Sequence, residues 1–267
     1  MKTSVVSKEY LNLQKEIIGL QEQWQESISP ESIHPNFDKA AQSAGIPIAM
    51  LAAIDFNINQ LIQWLDEVGN VLVRHNPQLE DQVSKLKKVV DEETAKRWID
   101  EAFAINHVYF ADFAQQNQLQ EWLPQFMAET ILRPYLHLLA KTVQPQITSA
   151  VPGCGCPVCG EPVRLAQIEG KGQKVLHCPR CHAHWLDKKL TCAHCGNDDH
   201  NSMKYLTVEG DASSQIHVCE ECKGYTKIID TRQHLTKPIP QLLDITTIHL
   251  DYVAQENGYL GIGDKKE

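Results

Sequence analysis

Nine cysteines lie between Cys154 and Cys222, and eight of them fall into four Cys-x-x-Cys pairs: Cys156/Cys159, Cys178/Cys181, Cys192/Cys195 and Cys219/Cys222. A tight Cys-x-x-Cys turn sets two thiols side by side with backbone N–H groups aimed at the sulfurs, an arrangement suited to binding a soft metal ion as thiolate. Four such knuckles supply eight sulfurs, enough for two complete four-sulfur sites and therefore for two metal ions. Eighteen residues separate the first knuckle from the second and twenty-three the third from the fourth, with only ten between the two halves. That repeat predicts sequential pairing, first knuckle with second and third with fourth; an interleaved pairing is the structural rival. Four thiolates leave an ion no open position, so each site is expected to be structural rather than catalytic. Zinc and iron both remain open, because tetrahedral sulfur accommodates either.

Other chemistries fit these cysteines less well. A thioredoxin-type redox motif is one Cys-x-x-Cys in an α/β setting, not four with alternating spacing. A bacterial ferredoxin cluster needs Cys-x-x-Cys-x-x-Cys, which is absent. Six of the twelve histidines (His177, His182, His184, His194, His200 and His217) fall inside the cysteine region. With eight thiolates available, they read as outer partners or solvent-facing groups. Cys154, two residues before Cys156, is left over and reads as an unliganded linker cysteine.

Small elements must carry these knuckles. Val163–Ile168 and Val175–His177 read as a hairpin turned through Gly170-Lys171-Gly172, and Trp185 as the cap of its small core. Lys204–Val208 and Gln215–Val218 repeat the hairpin, and Tyr225–Asp230 reads as a closing strand. Subdomains of this size are too small to fold on apolar burial alone, which is where a structural metal is useful. After Pro238 and Pro240, residues 241–253 read as one amphipathic helix packing back on the ribbons. The end of the chain, 263–267, reads as disordered.

The first 150 residues contain no cysteine and read as a helical body. Tyr10, Leu11, Leu13, Ile17, Ile18, Leu20 and Trp24 recur at helical spacing. Pro47 reads as the start of a second helix carrying Leu51, Ile54, Ile58, Leu61, Ile62, Leu65 and Val68 on one face. Asp91-Glu92-Glu93 places acidic residues in a first helical turn, where the macrodipole favours them, and that helix is expected to run on through Trp98, Ala102, Ile105, Val108, Tyr109 and Phe113. The last, from about Leu119 to Thr142, contains Pro124 and Pro134 and is expected to be broken or kinked. His107 and His137 have no metal-ligand partner at helical spacing, and no phosphate loop, Ser/His/Asp grouping or His-Glu-x-x-His motif is present. The fold class is thus α+β: a helical domain over 1–150, a rubredoxin-like or zinc-ribbon unit over 151–190, and a second such ribbon with a C-terminal helix over 191–267.

Composition is that of a soluble globular chain, 267 residues with 42% hydrophobic and 22% charged. The longest apolar run, 46–54, is too short to span a bilayer, and no signal peptide is visible, so cytoplasm and no membrane insertion are the expectation. In a reducing compartment clustered cysteines read as metal ligands rather than disulfides. Net charge is −9, yet residues 151–235 hold ten Lys/Arg against ten Asp/Glu. Metal-bound thiolates would make that region net acidic, which argues against a nucleic-acid-binding ribbon.

At this point the residues resemble a known family. A cysteine-free helical half followed by CPVCG, LHCPRCHAHW, CAHCG and a last Cys-x-x-Cys leading into GYTKIID is similar to the formate dehydrogenase accessory protein FdhE family. LLDITTIHLDYVAQENGYLG resembles that family's C-terminal ending. The specific part covers about 154 to 262. The resemblance implies a non-enzymatic, cytoplasmic maturation factor that binds the catalytic subunit of respiratory formate dehydrogenase. It also implies rubredoxin-like metal sites, with iron proposed, whose ligands are the eight paired cysteines: Cys156, Cys159, Cys178, Cys181, Cys192, Cys195, Cys219 and Cys222. Cys154 lies outside the family pattern, and His182 stands where a small turn residue is expected. A rubredoxin-like electron carrier is the alternative function, followed by a zinc-ribbon nucleic-acid module.

Overall fold

The structure is a computed structural model that describes residues 5–188 and 190–260; the expected disorder at 263–267 lies outside them. In chain order the helices are α1 (Lys8–Ser27), α2 (Lys39–Ser43), α3 (Ile58–His75), α4 (Glu80–Val89), α5 (Glu92–Phe103), α6 (His107–Gln116), α7 (Trp122–Val143), α8 (Pro240–Thr246) and α9 (Ile248–Glu256). The strands are β1 (Ile33–His34), β2 (Ala53–Ile54), β3 (Leu165–Glu169), β4 (Gln173–His177), β5 (His184–Asp187), β6 (Met203–Thr207), β7 (Ser214–Cys219) and β8 (Tyr225–Asp230). They divide into two units interleaved in sequence. One comprises Lys8–His34 and Ala52–Leu138; the other comprises Met1–Ser7, Pro35–Leu51 and Leu139–Glu267.

The first unit is helical, and its core is aromatic. Trp24 of α1 stacks on Trp64 of α3 at 5.0 Å, and Phe56 and Tyr135 meet at 4.7 Å. Trp98 makes T-shaped contacts with Phe110 and Phe113. Three helix boundaries differ from the sequence expectation. The helix expected from Pro47 begins at Ile58 instead. Asn57 caps it by accepting the Gln60 N–H, and Ala53–Ile54 is held in an antiparallel pair with Ile33–His34. The helix expected to run through Phe113 stops at Phe103, because Ile105 turns left-handed (φ 54°) and Asn106 caps a new helix by accepting the Tyr109 N–H. Asp91 caps α5 in the place its acidic run predicted.

The third difference is α7, a single helix through both prolines. Pro124 sits in the first turn, where an N–H has no intrahelical partner anyway. Pro134 leaves the carbonyl of Thr130 without its usual i+4 donor. The buried amide of Gln21 fills that vacancy, Nε2 donating to Thr130 O at 3.0 Å. Gln21→Leu is therefore expected to cost about 1–3 kcal/mol by stranding a buried carbonyl. Urea denaturation of that variant checks this, and a change below a few tenths of a kcal/mol contradicts it.

The second unit holds all the cysteines. Each half contributes a three-stranded meander, β3-β4-β5 and β6-β7-β8; the hairpins and the closing strand β8 were expected, whereas β5, which carries Trp185, was not. The two meanders are not separate sheets. β3 and β8 pair in parallel, Leu165 opposite Lys227 and Ile168 opposite Asp230, giving one six-stranded sheet in the order β5-β4-β3-β8-β7-β6. The C-terminal segment forms two helices, α8 and α9, broken at Thr247, rather than one. Leu243, Leu250 and Ala254 pack with Leu165, Ile216, Val218, Tyr225 and Ile229, so these helices do cover a sheet face.

The ammonium of Lys227 is buried beneath them. It lies 2.6 Å from Asp244 Oδ1 and 2.7 Å from Asp251 Oδ2, and it donates to Asp244 O at 3.0 Å. The Tyr225 hydroxyl donates to the other Asp251 oxygen at 2.7 Å. β4 carries a second buried lysine, Lys174, paired with Asp187 of β5 at 2.8 Å.

Candidate metal centres

Every knuckle closes in the same way. The first cysteine's N–H is bonded five residues on: Cys156 to Glu161 O, Cys178 to Ala183 O, Cys192 to Asn197 O and Cys219 to Gly224 O, all at 2.8–3.0 Å. The residue after the second cysteine is left-handed in all four: Gly160 (φ 77°), His182 (65°), Gly196 (75°) and Lys223 (56°). Glycine meets that requirement freely. Here it is also the residue that fits, since an added Cβ would stand 3.0 Å from Pro47 Cγ at Gly160 and 3.0 Å from Pro152 Cγ at Gly196. His182 and Lys223 hold the same conformation at a cost of about 1 kcal/mol each.

The strands bring the knuckles together in sequence order. Cys156, Cys159, Cys178 and Cys181 form one group and Cys192, Cys195, Cys219 and Cys222 the other, with all sulfurs in a group within 4.8 Å of one another. The interleaved arrangement is not adopted. Across the first group Cys156 and Cys181 are 3.5 Å apart and Cys159 and Cys178 3.6 Å; across the second Cys192 and Cys222 are 3.6 Å apart and Cys195 and Cys219 3.8 Å. A tetrahedral ion with metal–sulfur bonds of about 2.3 Å requires sulfurs about 3.8 Å apart, so both sets fit such an ion. Each can hold one, giving two metal ions for the chain.

Burial differs between the groups. All four sulfur residues of the first are buried, whereas Cys195 and Cys222 of the second are exposed. Burial pushes the Cys178 and Cys181 thiols well above their ordinary range and Cys192 up to about 11. For Cys159 and Cys219 burial is outweighed: hydrogen bonds from Cys156, Cys178 and Cys181 lower Cys159, while the Cys222 N–H and the Asn197 amide take Cys219 to about 7. Raised thiols must lose protons to become ligands, so metal loading displaces protons from these sets.

None of the six histidines of the region joins either group. His177 Nε2 meets Glu169 Oε1 at 2.7 Å and stacks on His184; His194 Nε2 lies 2.6 Å from Tyr225 O; His217 stacks on Tyr205 at 4.7 Å. Burial takes His177 and His217 down to about 4, leaving both neutral near pH 7. Cys154 is exposed and stands outside both groups. His107 meets the Gln125 amide at 2.6 Å rather than any ligand set. Sequence reasoning missed the strip at 47–49, whose Ile48 and Ala49 N–H groups donate to Pro157 O and Val158 O of the first knuckle. Its one sequence signal was the short apolar run at 46–54, which contains Pro47.

Comparison with known proteins bears on this geometry. Residues 190–264, which contain the whole second set, match the family model described as FdhE, C-terminal domain. That segment is similar to the FdhE C-terminal domain. The resemblance to the FdhE family extends well beyond it. The chain is 26% identical over 223 residues to the FdhE homolog of Aquifex aeolicus, covering 82% of this chain and 73% of that one. It is 30% identical over 109 residues to an FdhE homolog of Shewanella baltica, a match covering 39% of this chain and 35% of that protein. The crystal structure of the FdhE protein from Pseudomonas aeruginosa superimposes with a TM-score of 0.64, covering 94% of this chain and 86% of that one at 19% identity. The α+β fold of the FdhE protein is therefore this chain's fold. No helix among the described residues is long and apolar enough to cross a membrane.

Proposed function

We propose that this chain is a cytoplasmic accessory protein for formate dehydrogenase, acting on the enzyme's catalytic subunit as a binding and maturation factor and not as an enzyme. The observation that carries the reading is the pair of four-cysteine sets on one sheet, in a chain that resembles the FdhE family over most of its length. In this reading the eight paired cysteines are metal ligands, one set per ribbon, with the helical domain at 1–150 and the ribbons at 151–190 and 191–267. A closed four-sulfur ion has no position for substrate, which supports a docking role over turnover. Eight thiolates around two divalent ions carry net negative charge, which favours a protein client over nucleic acid.

The test is genetic and physical together. Cells lacking this chain are expected to lose respiratory formate dehydrogenase activity while still making the catalytic polypeptide, and affinity-tagged chain is expected to retain that polypeptide. Full activity in the deletion strain contradicts the accessory role. Loss of activity without co-purification contradicts direct binding alone.

A further inference from the structure

We propose that the two four-cysteine sites differ in ligand exchange: the ion held by Cys192, Cys195, Cys219 and Cys222 is open to small chelating ligands through Cys195 and Cys222, and the ion held by the first set is closed to them. This rests on the reading that each set holds one ion.

The first set is roofed. Cys156, Cys178 and Cys181 have no exposed surface and Cys159 retains 5%. The strip from Pro47 to Ala49 lies across the first knuckle, its Ile48 N–H donating to Pro157 O at 3.0 Å and its Ala49 N–H to Val158 O at 2.8 Å. Ile48 is itself fully buried, and Pro47 sits against Gly160. Arg180, also buried, donates from Nη1 to Cys159 O at 3.4 Å on the second knuckle's side. An incoming ligand must first lift this cover, which means local unfolding of hydrogen-bonded backbone.

The second set has similar sulfur spacing, and although the Leu260 N–H donates to Lys223 O at 2.7 Å beside the fourth knuckle, two of its cysteines remain exposed. Its exposed residues are the second cysteine of each knuckle, Cys195 and Cys222. Each faces a buried partner across the group, Cys195 against Cys219 and Cys222 against Cys192. The tip of the fourth knuckle is solvated, with Glu221 and Lys223 both exposed. A chelator can therefore reach the ion at two of its four bonds with the fold intact. As it takes the ion, the freed thiolates take up protons from water and the oxidation state of the metal does not change. The same two sulfurs are then open to alkylation, which requires thiolate character and access.

The test uses the full chain loaded with zinc. Release is followed by absorbance of the chromogenic chelator pyridylazoresorcinol, and parallel iodoacetamide pulses are mapped by peptide mass spectrometry. One zinc equivalent is expected to leave at least roughly tenfold faster than the other, the low end of what outer support contributes to metal affinity. Cys195 and Cys222 are expected to be alkylated in that fast phase, while Cys159 and Cys181 stay protected until the slow one. Cys154 reacts at once without releasing metal. Two equivalents leaving at a single rate, or Cys159 and Cys181 reacting in the fast phase, overturn the inference while leaving two metal sites in place. A loaded chain carrying fewer than two zinc ions overturns it together with the metal reading beneath it. No engineered variant is needed, so misfolding does not obscure the outcome.

Discussion

Cys178→Ser is expected to strip the ion from the first site and to unfold the ribbon unit far below the parent's melting temperature. Cys178 is fully buried in the knuckle that closes β4, and its Sγ lies 3.6 Å from that of Cys159. Serine offers a hard, protonated oxygen on a shorter bond, a poor ligand for an ion selected by thiolates. Structural zinc sites supply apparent free energies of about 10–16 kcal/mol in small domains. Losing most of that is comparable to the roughly 5–15 kcal/mol by which folded domains are stable. The metal-to-chain ratio should fall by one and the sheet signal in circular dichroism should melt early. Cys154→Ser is the control, expected to change neither quantity because that thiol is exposed and outside both groups. An unchanged melting curve in Cys178→Ser, with one ion lost, would show that the shared sheet stands without the first metal.

Removing both carboxylates around Lys227 is the second large effect. The Lys227 side chain is 1% exposed and is held by Asp244 and Asp251 from the two C-terminal helices. Asp244→Ala with Asp251→Ala leaves a buried ammonium with no counter-charge, and breaking a buried pair in this way costs about 3–5 kcal/mol. The penalty comes from the stranded charge, not from lost attraction. Adding Lys227→Met to the double variant should therefore recover most of the stability, since methionine fills similar volume without needing a partner. Urea denaturation of the three metal-loaded proteins measures this. A triple variant as unstable as the double would mean the helices, rather than the charge, suffer the damage.

The grouping of the paired cysteines was legible because their spacing is local. Each knuckle is four residues long, each hairpin carries its own glycine turn at Gly170–Gly172 or near Gly210, and the repeat in spacing implies which knuckles meet. The parallel pairing of β3 with β8 was not legible: it joins residues some sixty positions apart, and no local pattern encodes it. The cover at 47–49 escaped for the same reason, since its hydrogen bonds go to Pro157 and Val158. In the helical unit, periodicity located α1 and the aromatic core. It placed the start of α3 too early because Pro47 is a plausible first-turn residue, while the working cap is Asn57. Pro134 suggested a broken or kinked helix, and the break is absent because the local rule does not see Gln21 donating to Thr130 from another element.

We propose that the eight paired cysteines hold two metal ions in sulfur-only sites. Metal content of anaerobically purified chain, read together with X-ray absorption at the edge of the metal found, tests it most directly. Two ions per chain, each with four sulfur neighbours at about 2.3 Å, is the predicted result, whether the metal is zinc or iron. Fewer than two ions with free thiols at the paired positions, or nitrogen and oxygen in the coordination shell, would contradict it.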